Sequence, residues 1–402
     1  MDEQNLNESS FSGTALAASL ALFVLLGAAT TMLGPLLPTL EAQFHLTDRQ
    51  AGLLFVAQFG AGFLGAAASG ALIRLTSIRS SVRLGYVLIA LGVALVPHPS
   101  AWSLTAAIAL YGLGIGFVTP SVSVGICQVC AADQARALNL LNFAWAVGAI
   151  AAPGAIFRLV QAGLLGLSST MLAASILLAA AVLLVPSYGE AAPEPAPSGE
   201  FAARDLRLIL CAGVVIFAYV GLENGVAGWL PSLAGRLGAI SAGRAALLQA
   251  AFWAALLVGR LLAGLWLRPG HEHHLLLADM LLAVAATVAI LAGRGEAVLF
   301  AAVALCGLAF ATIFPTTIAV LSAGLSPASR RRLGWMYAAG GLGGAVLPYC
   351  IGALSARTHS LLRGMSLLLA GEAVMLLAFI ALRGAARSAR VSDSVEETVA
   401  AR

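Results

Sequence analysis

Charge is what this sequence has least of. Only 10% of its 402 residues are Asp, Glu, Lys or Arg, where a soluble domain carries about 25%. Lysine is absent altogether, so all 22 basic residues are arginine. Such a chain cannot clothe itself in a polar surface, which excludes a soluble enzyme. The 43 glycines sit inside apolar runs without a collagen-like period, which excludes a fibrous repeat. With 60% apolar residues, a disordered tail protein is excluded as well. The first thirteen residues lack the basic start and small-residue cleavage site of a secretory signal. The pI of about 9.0 does not point to nucleic acid, because the arginines are scattered between apolar spans. The five cysteines (Cys127, Cys130, Cys211, Cys306, Cys350) lie in or beside those spans, unlike a secreted disulfide framework.

What is present is apolar length. Mean hydropathy is +0.95, and about 20 apolar residues carry a helix across a bilayer. Helices are expected because each satisfies its backbone hydrogen bonds within one segment. Twelve spans are expected at about 14–37, 51–73, 81–97, 101–128, 138–160, 164–186, 206–230, 244–268, 274–293, 296–323, 333–355 and 360–382, by that length rule. With the N-terminus inside, fourteen arginines fall on the cytoplasmic side and seven outside, leaving Arg260 within a span. The positive-inside rule then places both termini in the cytoplasm. A Pro-, Ala- and Glu-rich stretch at 187–205 reads as a flexible linker between an N-terminal six-helix half (1–186) and a C-terminal one (206–402).

The two halves resemble each other. GLGIGFVTPS at 112–121 matches GLAFATIFPT at 307–316, and AVGAIAAP at 146–153 matches GLGGAVLP at 341–348. Gly112/Gly307, Pro120/Pro315, Gly148/Gly343 and Pro153/Pro348 all keep one offset of 195 residues. LPTL at 37–40 and LPSL at 230–233 follow the first and seventh spans at nearly that offset. Parallel six-helix repeats with a solute site near the midplane are a known plan of secondary transporters.

On these features the sequence resembles the major facilitator superfamily over nearly its whole length. YVGLENGVAGWL at 219–230, LNLLNFAWAVGAIAAP at 138–153 and GRLLAGLWL at 259–267 are similar to the branch of fucose–proton symporters and sodium-dependent glucose transporters. The resemblance implies an all-α membrane fold of two pseudo-symmetric six-helix bundles, working by alternating access. It departs from the family in three places. Arg74 stands where the loop after the second helix usually has Asp, Asn142 stands where the branch often has His, and the acids of helices one and four are missing.

Ionisable groups inside spans cost about 2.5–3.5 kcal/mol each at mid-bilayer, so each one demands a reason. Glu223, flanked by Tyr219, Asn224 and Trp229, is expected to bind solute hydroxyls or carry a coupling proton; the alternative is a bond fixing a bent helix. Glu372 reads as an inter-helix contact. Arg260 and Asp279 are expected to form an ion pair holding a gate. Sugar recognition needs amides and an aromatic surface. Asn139, Asn142 and Trp145 follow one another at helical spacing, as do Gln249 and Trp253. Gln58, Gln128 and Tyr337 complete the candidates, with helix packing as the competing explanation for each.

Several motifs carry no chemistry. Gly60, Gly62 and Gly65 spell GxGxxG, but no strand precedes them and close helix packing accounts for them. Cys127 and Cys130 have no second pair to complete a zinc site. His271, Glu272, His273 and His274 read as a solvated turn, and Arg330, Arg331 and Arg332 as an orientation signal beside anionic lipid. The expectation is a monomeric carrier in a bacterial inner membrane, without metal, cofactor or nucleic acid. It would move a small polar solute, a monosaccharide, with a proton or sodium as coupling ion. An efflux carrier for apolar compounds and a non-transporting sensor or scaffold are the alternatives.

Overall fold

The computed structural model describes residues 3–97, 100–188, 203–238, 240–266, 270–293, 295–326, 329 and 333–400. Among the described residues twelve helical segments are long and apolar enough to cross a membrane, and there is no strand. They are built from fifteen α-helices. In chain order these are α1 (Glu3–Thr31), α2 (Leu33–Phe44), α3 (Asp48–Leu75), α4 (Ile78–Leu95), α5 (Ala101–Val129), α6 (Gln134–Ile156) and α7 (Leu167–Leu184). Then follow α8 (Ala203–Arg236), α9 (Ala242–Trp266), α10 (Glu272–Ala292), α11 (Glu296–Phe310), α12 (Ile313–Gly324), α13 (Gly334–Thr358), α14 (Leu361–Met365) and α15 (Leu367–Ala400).

Short polar caps start these helices where the apolar pattern begins. Thr47 and Gln50 form a reciprocal capping box at α3, and Ser77, Ser100 and Ser360 accept backbone N–H groups at α4, α5 and α14. The first and seventh spans run further than expected, through Pro38 to Phe44 and through Pro231 to Arg236. Proline sacrifices one backbone bond without ending a helix whose outward face is otherwise packed.

The chain falls into two compact units, Met1–Pro193 with Ala227–Ala254, and Glu194–Val226 with Ala255–Arg402. In the first unit α1 and α6 touch backbone to backbone. A Cβ on Gly27 would overlap the Trp145 carbonyl, and one on Gly148 would overlap the Val24 carbonyl. In the second unit α8 and α13 make the same reciprocal contact, with Gly343 against the Phe217 carbonyl and Gly221 against the Gly343 carbonyl. The offset of 195 between Gly148 and Gly343 is therefore the same steric demand met twice. Two glycines of the GxGxxG run of α3 pack too, Gly62 facing the Gly112 carbonyl and Gly65 the Leu113 carbonyl of α5, while Gly60 meets open space.

Side-chain bonds tie the first unit together. Tyr86 donates to the Leu22 carbonyl, Ser81 meets Ser121 at 2.8 Å, and Ser175 donates to the Ala90 carbonyl at 2.8 Å. The expected linker at 187–205 is held at both ends. Tyr188 is buried over Gly125 with its hydroxyl 2.9 Å from Ser19. Burial pushes the Tyr188 phenol up to about 12, so it stays neutral there. Asp205 is buried and accepts from Ser326 at 2.6 Å. The stretch between, 189–202, lies outside the described residues, as do Arg330, Arg331 and Arg332.

Candidate functional site

Two helix breaks organise the polar side chains, and each follows from a proline. Pro35 has no N–H to offer the Thr31 carbonyl four residues earlier, and α1 ends at Thr31. Three glutamine amides close around this break. Gln58 Nε2 donates to the Thr30 carbonyl at 2.8 Å, Gln249 Nε2 to the Thr31 carbonyl at 3.1 Å and Gln161 Nε2 to the Pro35 carbonyl at 2.9 Å. Pro315 likewise leaves the Ala311 carbonyl without its helical donor, and the tenth span divides into α11 and α12 at Ala311 and Thr312. Arg260 Nε donates to that carbonyl at 3.2 Å, and Thr312 donates its hydroxyl to Asp279. Gly259, whose Cβ would press on Ala311, lets α9 come close enough for this.

The expected ion pair between Arg260 and Asp279 is thus not formed. Similar depth in the chain suggested it, but the break supplies nearer partners. The two charges hold its two residues instead, Arg260 at the Ala311 carbonyl and Asp279 at the Thr312 hydroxyl.

In the first unit the amide–aromatic candidates of α6 and α9 do meet. The rings of Trp145 and Trp253 stand edge to face with centroids 5.3 Å apart. One turn away on the same face of α9 lies Gln249. Gln249 is 2% exposed and Trp253 4%. The Oε1 of Gln249 and the Nε1–H of Trp253 are buried with no partner among the described residues. One acceptor and one donor are therefore left open beside a pair of indole rings. Asn139 and Asn142 are exposed on the Trp145 side of α6, and Asn142 meanwhile donates to the Leu138 carbonyl of its own helix.

Two other candidates are occupied elsewhere, and a third, Gln128, is not. Gln58 uses its amide nitrogen at the α1 break and its oxygen to accept from Tyr111 at 2.6 Å, which makes it a structural tie. Trp229 is fully buried against Phe55. Gln128 has a buried amide oxygen with no partner among the described residues, on α5.

In the second unit Glu223 sits half-buried in the middle of α8. Tyr219, one turn earlier, donates its hydroxyl to Glu223 Oε1 at 2.7 Å. Tyr219 is held by Phe310 and Phe314 on either side of the α11–α12 break, with centroids at 5.8 and 6.1 Å. Asn224 donates to the Val220 carbonyl at 2.8 Å and is half-buried. Tyr337 is 68% exposed and rests on Phe314 at 5.5 Å. Glu372 is 1% exposed, and accepts from Thr287 at 2.5 Å through one oxygen only.

One charged cluster escaped the sequence reading. At the end of α8, Arg236 binds both oxygens of Asp48 at 2.6 and 2.9 Å and Glu41 Oε1 at 3.1 Å. Ser232 donates to the other Glu41 oxygen at 3.0 Å. All four belong to the first unit. Their separation of about 190 positions in sequence (191 between Glu41 and Ser232) hid the cluster. The usable signal was two acids at the end of one span and the start of the next, facing an arginine at the corresponding end of the other half.

Twelve apolar helical spans among the described residues, with polar side chains turned onto helix breaks, define a multi-pass membrane carrier. The family model of the Major Facilitator Superfamily matches residues 19–331. The chain belongs to the Major Facilitator Superfamily and is a transporter of that family. It is similar to the glucose/galactose transporter of Brucella abortus biovar 1 (strain 9-941), 27% identical over 377 residues, which is 85% of this chain and 88% of that protein. Among solved structures it is similar to a bacterial homologue of the human lysosomal transporter Spinster, inward-facing and unoccupied. There the TM-score is 0.70 at 17% identity, covering 94% of this chain and 96% of that one. It is also similar to the E. coli fucose:proton symporter, with a TM-score of 0.60 at 21% identity, covering 92% and 98%. At these identities the structural likeness is one of fold.

Proposed function

We propose that this transporter moves a monosaccharide across a bacterial inner membrane by alternating access, with Glu223 as the group that carries the coupling proton. Both termini would face the cytoplasm, which puts the Arg236 cluster on the far side of the membrane. The observation that carries the solute class is the open acceptor of Gln249 and open donor of Trp253 beside Trp145. An unmet buried polar atom costs about 1–3 kcal/mol, so a ligand that satisfies both regains that energy. A sugar hydroxyl donates and accepts at once, and its C–H faces suit indole. An apolar drug offers neither bond. The name of the Brucella relative, a glucose/galactose transporter, supports the same class. A proton is favoured over sodium because the described carboxylate at this position, Glu223, already accepts from Tyr219 through one oxygen, and no other described carboxylate is joined to it to build a cation's oxygen shell.

Reconstitution into liposomes with an imposed proton or sodium gradient tests the reading. Labelled glucose and galactose are expected to accumulate under the proton gradient. Trp253→Phe, which keeps a ring and removes the N–H, is expected to weaken sugar binding about tenfold, the effect of one lost hydrogen bond. Glu223→Gln is expected to abolish accumulation while leaving counterflow exchange. Thermal stabilisation by amphipathic cations but not by sugars would replace the proposal with an efflux carrier. Silence towards every solute would favour a non-transporting protein.

A further inference from the structure

The Gln249 carboxamide has one end fixed and one end open. Its Nε2 donates to the Thr31 carbonyl at 3.1 Å, while its Oε1 is buried with no partner among the described residues. A carbonyl only accepts, so the amide end that faces Thr31 must be the nitrogen. Two residues of the α1–α2 break create this arrangement. Pro35 carries no N–H for the Thr31 carbonyl, and the next residue, Leu36, bonds the Met32 carbonyl at 3.2 Å. Gly34 is buried, and a Cβ there would stand 3.0 Å from both Nε2 and Oε1 of Gln249 and 2.8 Å from the Ala227 carbonyl. We propose that Gly34 and Pro35 are positioning residues that set the hydrogen-bond polarity of the solute site. They lock the Gln249 amide with its oxygen free, so the solute must donate a hydroxyl hydrogen there. The proposal rests on the reading of Gln249 and Trp253 as solute groups, and extends it from the class of solute to the direction of each bond.

An unrestrained glutamine amide is ambivalent. It offers donors at one end and an acceptor at the other, and a half-turn about its last bond exchanges them. Here that half-turn would set Oε1 against the Thr31 carbonyl oxygen, two acceptors in contact, and strip the carbonyl of its donor. Thr31 is not free to move aside. It is 5% exposed, its hydroxyl donates to the Gly27 carbonyl at 3.0 Å, and Gly27 abuts the Trp145 carbonyl. Trp253, one turn further along α9, is a donor only. The site therefore presents a fixed acceptor and a fixed donor. A hydroxyl can meet either one, whereas a group that only accepts can meet Trp253 alone. A site built to take a hydroxyl rejects the analogue that lacks it, because its own polar group is then left unpaired. Gln58 at the same break makes the contrast, since its oxygen is already engaged by the Tyr111 hydroxyl.

Monodeoxy and monodeoxyfluoro analogues of glucose, altered at one carbon at a time, read this polarity, because fluorine accepts weakly and never donates. Affinities are taken from displacement of labelled glucose from the purified full-length protein. At one carbon, the one whose hydroxyl meets Gln249, the fluoro analogue is expected to bind as poorly as the deoxy analogue. Both should fall about tenfold below glucose, the effect of one lost hydrogen bond. Gln249→Met is expected to abolish that gap. Pro35→Ala returns a backbone donor to the Thr31 carbonyl and frees the amide to turn, so the fluoro analogue should recover several-fold while glucose changes little. Gly34→Ala pushes the amide aside, so glucose should weaken about tenfold and the fluoro analogue hardly at all. In the Gln249→Met background Gly34→Ala should leave affinity unchanged, although its overlap with the Ala227 carbonyl still lowers the melting temperature. Retention of the full gap in either Gly34→Ala or Pro35→Ala, when Gln249→Met loses it, would overturn the proposal and leave Gln249 as a solute group. Gaps that Gln249→Met leaves untouched at every carbon would remove Gln249 from the solute site, and a protein that binds no glucose would remove the sugar reading; either takes the proposal with it.

Discussion

The Arg236 cluster predicts a measurable coupling between residues 188 positions apart. Arg236 makes a bidentate contact with Asp48 and a third bond to Glu41. Its side chain is 40% exposed, while those of Glu41 and Asp48 are 13% and 15% exposed. A hydrogen bond to a charged group contributes about 1.5–3 kcal/mol when shielded, and an exposed ion pair only about 0.2–1 kcal/mol. Two short parallel bonds on a partly exposed guanidinium place the Arg236–Asp48 coupling between these, at about 1.5 kcal/mol, or roughly tenfold in an equilibrium constant. The test is a double-mutant cycle with Arg236→Gln and Asp48→Asn, read by denaturant unfolding in detergent. Asp48→Asn is expected to cost about 1.5 kcal/mol less in the Arg236→Gln background than in the wild type. The coupling should also shrink as salt is raised, because the guanidinium is not fully buried. Costs that add to within about 0.5 kcal/mol at low salt would refute the reasoning, because unlinked sites behave that way.

Two further outcomes are expected. Gly148→Ala and Gly343→Ala force a Cβ onto a backbone carbonyl and should each destabilise by about 1–3 kcal/mol, as overpacking does. Gly154→Ala meets open space and should be neutral or stabilising by up to about 1 kcal/mol; thermal melting in detergent distinguishes them. Glu372 is acted on by Thr287 and Cys306, neither of them charged, so Glu372→Gln, which keeps the acceptor for Thr287, should melt within a few degrees of wild type. Glu372→Leu strands the Thr287 hydroxyl and should cost about 1–3 kcal/mol; equal losses in both would count against this account.

The spans were legible because apolar length is a signal that no tertiary contact can counterfeit. The repeat was legible because Gly148 and Gly343 answer a steric requirement that only glycine meets. Charge partners were harder to read. Arg260 and Asp279 looked like a pair from depth alone, yet Pro315 created a free carbonyl that Arg260 meets instead. The rule that would have helped is local: a proline inside a span leaves the carbonyl four residues earlier in want of a donor. The Gln249 bond to Thr31 obeys it as well. Trp145 and Trp253 were found separately by spacing on their own helices, and only the fold could say that they touch.

The backbone contacts between α1 and α6, and between α8 and α13, leave no side-chain layer to slide within. Each pair is a double-thickness spar that turns or tilts as a single piece. Any bending the chain needs must then be taken up away from these contacts, where the spars end or a helix is interrupted. That assigns compliance to Thr31–Leu33 and Phe310–Ile313, short joints whose stiffness is set by borrowed glutamine and arginine donors. Changing Gln161, whose amide meets the Pro35 carbonyl and which is not among the proposed solute groups, should tune how fast the molecule flexes while leaving what it recognises largely alone.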